Sequence, residues 1–313
     1  MSKQPTLLVY PQLPKAGLGN MLLVWAKAVL FADINHLPIV APVWGKISIG
    51  PYLRGERDKR YYGHLFYQKN YESRWKSSLA IFRKKYLHNN PAISQIELSH
   101  LEPQNVDLHL FIFNQLPHWS DYFADLKEYQ PIIKQELSSI IRPSVFEAIL
   151  NRPTPEIGIH IRMGDFRKLK PEDDFTKLGN VRTPLSWFIQ VIDVTRKIAG
   201  YDVPVTIFSD GYDRELDELL KLPQVSRATA ASALSDMLTL SRSKLLITSS
   251  GSTFSSWASY LGQCPTIWHP AHFHAGVFPA DISQSIFEGG LDPESMTVPD
   301  LLIHNIKLAF TSI

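Results

Sequence analysis

The sequence predicts an α/β fold of two domains, the second of them a doubly wound parallel sheet. Three observations predict it. At 313 residues the chain is long for a single core. Its front half runs strand, helix, strand, the pattern of an α/β layer. Its back half alternates short apolar strands with helical stretches, and the strands end in polar residues.

The elements follow in order. Leu7 to Tyr10 reads as a first strand, followed by the loop Gly17-Leu18-Gly19-Asn20 and a strongly apolar helix from Asn20 to Asn35. Pro38 to Ala41 and Asp107 to Phe113 read as further strands. Arg152-Pro153-Thr154-Pro155 reads as a stiff connection, so the domains are placed at 1–152 and 153–313. Glu156 to Arg162 alternates strictly, with Ile157, Ile159 and Ile161 on one face and Gly158, His160 and Arg162 on the other. Thr183-Pro184 predicts a helix start, with Thr183 as the capping hydroxyl, ahead of an apolar face at Leu185, Phe188, Ile189 and Ile192. Val203 to Phe208, Lys244 to Thr248 and Pro265 to Trp268 are the remaining strands. Asp213 to Leu222 and Ser232 to Ser241 are helices. A final helix, Pro299 to Ala309, is expected to pack back on the front domain.

Composition narrows the function. Charged residues are 20% and hydrophobic residues 44%, as in ordinary globular proteins. The net charge of +2 gives no global basic field of the kind that nucleic-acid binders carry. Cys264, the single cysteine, has no partner for an internal disulfide and reads as a small buried hydrophobe. Met1 to Thr6 has no signal-peptide pattern, and the apolar stretch Met21 to Ala32 contains Lys27 and is too short to cross a bilayer. A cytoplasmic protein is expected, at most peripheral to a membrane.

Open parallel sheets bind ligands outside the carboxyl ends of their strands. Three back-half strands end there in His160-Ile161-Arg162-Met163-Gly164-Asp165, in Ser209-Asp210-Gly211 and in a hydroxyl-rich run from Thr248 to Ser256. Each suits a nucleoside diphosphate. His160 and Arg162 share a strand face, and arginine can fork onto phosphate. Ser250, Ser252, Thr253, Phe254 and Ser255 surround a helix start, where free N–H groups attract anions. Asp210 reads either as an acceptor for a base or ribose or as a turn residue before Gly211. Gly17, Gly19 and Asn20 read as a loop that lets backbone approach a ligand, or as a plain tight turn. Leu22 stands where a dinucleotide fingerprint has its third glycine, and no acid follows at the expected offset, which argues against a dehydrogenase.

Taken together, the GLGN loop, the HxRxGD and FSD strand ends and the SSxSTFSSW segment resemble the bacterial α-1,2-fucosyltransferases. The resemblance covers most of the chain but not the stretch from about Tyr52 to Gln104. It implies a GT-B-like fold of two Rossmann-like domains facing a cleft, an acceptor-side first domain and a second domain that binds the GDP-sugar. It also implies GDP-fucose as donor, inversion at the anomeric carbon, no metal and no further cofactor. The acceptor would be the 2-hydroxyl of a galactose-containing oligosaccharide. Arg162 would hold the β-phosphate and His160 the nucleoside. Met163 replaces a second basic residue and Gly211 a second acid, which puts guanine recognition by Asp210 in question. Asp165 is chosen as the base, ahead of Glu172, Asp173 and Asp174; its competing role is to pair with Arg162 and order the loop.

Residues 54–85 hold ten Lys or Arg residues against three acids, with seven interleaved aromatics, and read as a solvated face over core aromatics or as an acceptor contact. His269, His272 and His274 fit no standard zinc spacing. The rival functions are another nucleotide-dependent Rossmann enzyme, and a non-catalytic glycan- or nucleic-acid-binding protein using the basic aromatic segment.

Overall fold

The computed structural model describes residues 6–45, 53, 60–69, 71–72, 86–93, 108–170, 172–295 and 297–311. Most of the basic aromatic segment lies outside these residues. Within it, Tyr62 and Phe66 are buried and Tyr71 accepts a hydrogen bond from Trp25 Nε1 at 3.0 Å, whereas Tyr61 and Tyr67 are exposed. Leu53 apart, the described residues up to Pro143 form one compact unit and those from Ser144 onward form a second.

The first unit is built on a parallel sheet of β1 (Thr6–Pro11), β3 (Leu108–Phe113) and β2 (Tyr86–Asn89), in the order β1-β3-β2. The helix α1 (Leu18–Ile34) is apolar around its whole circumference, and it is buried accordingly. Phe31 packs on Phe111 and Phe113 with ring centroids 5.0 and 5.5 Å apart. Lys27, the charge in this apolar run, reaches Asp125 at 2.7 Å. The helix α2 (Gln130–Ile140) turns Ile133, Leu137 and Ile140 inward. Pro38 to Ala41 is not a strand: Ile39 and Val40 make only isolated bridges, to Val9 and Glu72.

The second unit opens within α3 (Pro143–Leu150), from Ser144 onward. It continues through β4 (Ile157–Ile161), α4 (Leu185–Ala199), β5 (Val205–Ser209), α5 (Asp217–Leu220), β6 (Val225–Arg227), α6 (Ala233–Leu240), β7 (Leu245–Ile247) and α7 (Thr253–Gly262). It ends with β8 (Thr266–Trp268), β9 (Glu288–Gly290) and α8 (Asp300–Phe310). The six strands are parallel in the order β6-β5-β4-β7-β8-β9, the Rossmann order, whose switch point lies between β4 and β7. Ile157, Ile159 and Ile161 face a core that includes Phe188 and Ile192 of α4. Gly158 faces the other way, where a Cβ would lie 2.8 Å from Leu240.

The proline-rich link at 152–155 is held within the second unit. Arg242 donates to the carbonyls of Ile149 and Arg152 and to Thr154 Oγ1, and the division of the described residues falls earlier, after Pro143. The last helix also differs from expectation. Leu302, Ile306 and Phe310 join the core under α4, so α8 buries its apolar stripe on its own unit. Asp213 to Leu222 is not one helix but a 3₁₀ turn, Asp213–Glu215, followed by the short α5.

Candidate donor site

The site grows from the carboxyl ends of β4, β5 and β7. His160, near the end of β4, is buried at 4% exposure and stacks on Phe254 with a centroid separation of 4.5 Å. Its Nδ1 lies 2.7 Å from Ser255 Oγ. Ser255 Oγ accepts the Ser249 N–H at 3.3 Å, so its own hydrogen is available to Nδ1. Burial, reinforced by the Arg162 charge, pulls the His160 pKa down to about 3, so the imidazole is neutral at physiological pH.

Arg162 stands one residue past β4. Its Nε and one Nη donate to Asp165 Oδ1 at 3.0 and 2.6 Å, and the other Nη reaches Asp210 Oδ2 at 2.5 Å. Asp210 Oδ1 also accepts the Met163 N–H at 2.7 Å, so both oxygens of this carboxylate are engaged by the protein. The three groups are partly exposed, with 21% for Arg162, 34% for Asp165 and 17% for Asp210, which leaves the guanidinium within reach of a ligand. Gly164 is required by this arrangement, because a Cβ there would lie 2.6 Å from Asp210 Oδ2.

Met163 and Gly211, the two departures from the motif, meet each other. Met163 is buried at 3%, and a Cβ on Gly211 would lie 2.7 Å from its Cγ. An apolar contact thus occupies the place where a basic and an acidic residue were expected. Arg182 and Arg227 fasten the two loops around it. Arg182 donates to the carbonyls of Met163 and Phe166 and to Glu215, and Arg227 to the carbonyls of Ser209 and Gly211.

The hydroxyl-rich run divides its work. Ser249 Oγ accepts the Arg162 N–H at 2.8 Å and donates to the His160 carbonyl at 3.0 Å, tying β4 to the loop after β7. Ser252 is the N-cap of α7 and makes no side-chain cap bond, with Thr253, Phe254 and Ser255 forming the first turn. Ser250 Oγ is buried without a hydrogen-bond partner. Thr183 is not a helix cap: Pro184 holds the N-cap position of α4, and Thr183 Oγ1 instead accepts the Ser250 N–H at 3.0 Å. Sequence reasoning gave no separate role to Ser249, Arg182 or Arg227. Only Ser249 carried a signal, as the first residue past a predicted strand whose polar end was expected on the same sheet edge as that of the His160 strand.

Of the residues singled out from sequence, His160, Arg162, Asp165, Asp210, Ser250, Ser252, Thr253, Phe254 and Ser255 all belong to this strand edge of the second unit. Gly17, Gly19 and Asn20 belong to the first unit, where Gly17 is the N-cap of α1 and Gly19 and Asn20 lie in its first turn, so the expected loop is already helix. A Cβ on Gly17 would meet nothing within 4 Å, so packing does not explain that glycine.

The loop acids serve local turns. Asp173 accepts from Arg167 and from the Lys170 N–H. Hydrogen bonds from Thr176, then Lys177, pull Asp174 down to about 2. Glu172 is 70% exposed. His269 and His272 present edges to Phe175 at 4.6 and 4.4 Å, and burial lowers the pKa of both. Among the described residues no three His, Cys, Asp or Glu side chains are grouped to hold a metal ion, and no helix is long and apolar enough to cross a membrane.

A Rossmann-order sheet with an arginine and a helix N-terminus at its carboxyl edge is an arrangement in which open α/β sheets can hold an anion. The comparison with protein families is specific: residues 109–271, more than half of the chain, match glycosyl transferase family 11, and the chain belongs to that family. No curated protein matches it in sequence. Similar solved structures include POFUT1 in complex with GDP-fucose, 12% identical over 84% of this chain and 97% of that one, with a TM-score of 0.49. Another is NodZ alpha-1,6-fucosyltransferase co-crystallized with GDP, 17% identical over 85% and 96%, with a TM-score of 0.48.

Proposed function

We propose that this protein transfers L-fucose from GDP-fucose to the 2-hydroxyl of a galactoside, with inversion and without a metal. The observation that carries this reading is the meeting of Arg162, neutral His160 and the first turn of α7 at one sheet edge. Arg162 and the N–H groups of that turn take the charge that develops on the departing diphosphate. His160 holds the nucleoside.

Arg162 is balanced by Asp165 and Asp210. The incoming diphosphate competes for the guanidinium and releases the Asp165 carboxylate. That carboxylate then accepts the proton of the attacking hydroxyl. Asp210 keeps Arg162 and Met163 in place. In Asp165→Asn, GDP binding should persist while transfer is lost; normal turnover would remove Asp165 as base, and lost GDP binding would make it scaffold.

Incubation with GDP-fucose and lactose, with the product linkage read by NMR, tests the reaction. A 2-linked α-fucoside formed equally well in EDTA is the expected result. Transfer to another hydroxyl would overturn the linkage. Activity abolished by EDTA and restored by Mg²⁺ or Mn²⁺ would overturn metal independence.

A further inference from the structure

The carboxyl edge of the first unit's sheet carries a second polar cluster, made of amides. Gln12 follows β1, Asn90 follows β2 and Asn114 follows β3, so each strand ends in an uncharged amide. The sheet register places them side by side. Pro11 pairs with Phe113 and Asn89 with Ile112, and the Gln12 N–H donates to the Phe113 carbonyl at 2.8 Å. The amides also bond one another. Asn114 Nδ2 donates to Gln12 Oε1 at 3.2 Å, and Asn90 Oδ1 accepts the N–H groups of Asn114 and Gln115 at 2.9 and 3.1 Å.

Two atoms of the cluster remain unsatisfied. Asn90 Nδ2, a donor, and Asn114 Oδ1, an acceptor, are buried without partners; Asn20 Oδ1, in the first turn of α1, is a third such atom. A buried amide without a partner costs on the order of 1–3 kcal/mol, so groups of this kind are normally satisfied by something. In an open parallel sheet this edge is also where ligands bind.

We infer that Gln12, Asn90 and Asn114 form a subsite for the hydroxyls of a neutral sugar, the acceptor of the proposed transfer reaction on whose reading this inference rests. A hydroxyl is at once a donor and an acceptor, which is what the unsatisfied pair offers. Among the described residues the cluster contains no cation that would single out a phosphate or carboxylate, and no aromatic face on which a base would stack. The acceptor's sugar hydroxyls therefore bind through these amides.

The test uses lactose as the probe and reads binding and catalysis separately. Saturation-transfer NMR follows lactose on the full-length protein, and steady-state kinetics vary lactose at fixed GDP-fucose. In Gln12→Ala and Asn114→Ala the lactose signal should fall and the lactose KM should rise roughly tenfold, the cost of about one hydrogen bond to a sugar. The KM for GDP-fucose and the thermal shift given by GDP should not change. Asn90 also supports the backbone at Asn114, so Asn90→Ala is read only together with its melting curve; Gln12 and Asn114 carry the decision. Unchanged lactose binding and KM in these folded variants would overturn the subsite while leaving the transferase reading intact. Loss of the lactose signal in variants of a protein that transfers no fucose would uphold the subsite and overturn the transferase reading. A wild-type protein that binds no lactose would overturn the subsite outright.

Discussion

At the scale of single residues, the site holds a charge in readiness and keeps a neighbour neutral. Arg162 is fixed from both sides, through its backbone by Ser249 and through its guanidinium by two carboxylates, so its position is set before a diphosphate exchanges with Asp165. Arg162→Ala should lower kcat by about 10²–10³, the usual cost of removing a donor aimed at developing charge. Arg162→Lys should recover only part, because a point charge replaces a fork. Near-normal turnover of the folded alanine variant, measured with GDP-fucose and lactose, would remove Arg162 from the reaction. His160 makes a prediction of a different kind. Its pKa, about 3 when folded against 6.5 ordinarily, means that the unfolded chain takes up the proton first. Its contribution to stability is therefore complete above pH 6.5 and is lost as the pH falls toward 3, at up to about 1.4 kcal/mol per pH unit for one proton. His269, lowered to about 4, acts in the same direction. Urea midpoints of wild type should fall more steeply between pH 6 and 4 than those of His160→Asn; parallel slopes would show that His160 is not held neutral.

At the scale of elements, the end of β4 depends on close approach. Gly158 lets the turn after α6 press against the strand: a Cβ there would run into Ser243 Oγ and lie 2.8 Å from Leu240 Cδ1. Ser243 Oγ is itself tied to the Leu240 carbonyl at 2.7 Å, so it has little room to yield. Gly158→Ala should destabilise the second unit by about 1–3 kcal/mol, the usual cost of overpacking, read as a lower urea midpoint; an unchanged midpoint would mean that the turn is soft. This glycine also shows what was legible in the sequence. Strict alternation from Glu156 to Arg162 revealed β4 and the face of its histidine, because a five-residue strand between helices leaves a clear period of two. The polar ends of β4, β5 and β7 were legible for the same reason, and they proved to share one sheet edge. β6 and β9 were not foreseen, since three residues such as Val225–Arg227 or Glu288–Gly290 are too few to show a period. Thr183 was misread because a hydroxyl before proline looks like a cap, and sequence does not reveal that Ser250, 67 residues away, claims it. Ser249, Arg182 and Arg227 were missed because their work is to bind backbone carbonyls and N–H groups, whose positions are set only by the folded chain.

At the scale of the whole molecule, the two compact units divide the polar chemistry unevenly. The second holds a charged strand edge, with Arg162 among carboxylates; the first holds an uncharged one, of amides. A charged edge suits a diphosphate, and its occupant is open to direct measurement through stability. A ligand that binds only the folded state raises stability by RT ln(1 + [L]/Kd), about 2.7 kcal/mol at a hundredfold excess over Kd. For a unit of this size that is roughly 5–11 °C in Tm. GDP, UDP and ADP share the diphosphate, so Arg162 and the first turn of α7 should give all three a common part of the shift. The base decides the rest. Guanine offers a ring N–H and an exocyclic amine as donors, while uracil is smaller and adenine lacks the ring donor. The site offers the Ser250 hydroxyl, whose oxygen has no hydrogen-bond partner, as an acceptor for such donors. GDP should therefore protect more than UDP or ADP, and in Arg162→Ala the common part should shrink for all three. Because a chain of two units need not unfold in one step, any second transition is scored separately, and the GDP shift should fall on the one lowered by Gly158→Ala. Equal protection by the three nucleotides would leave a diphosphate site and overturn the guanine assignment. If none of them protected, the strand edge around Arg162 would not be a nucleotide site at all.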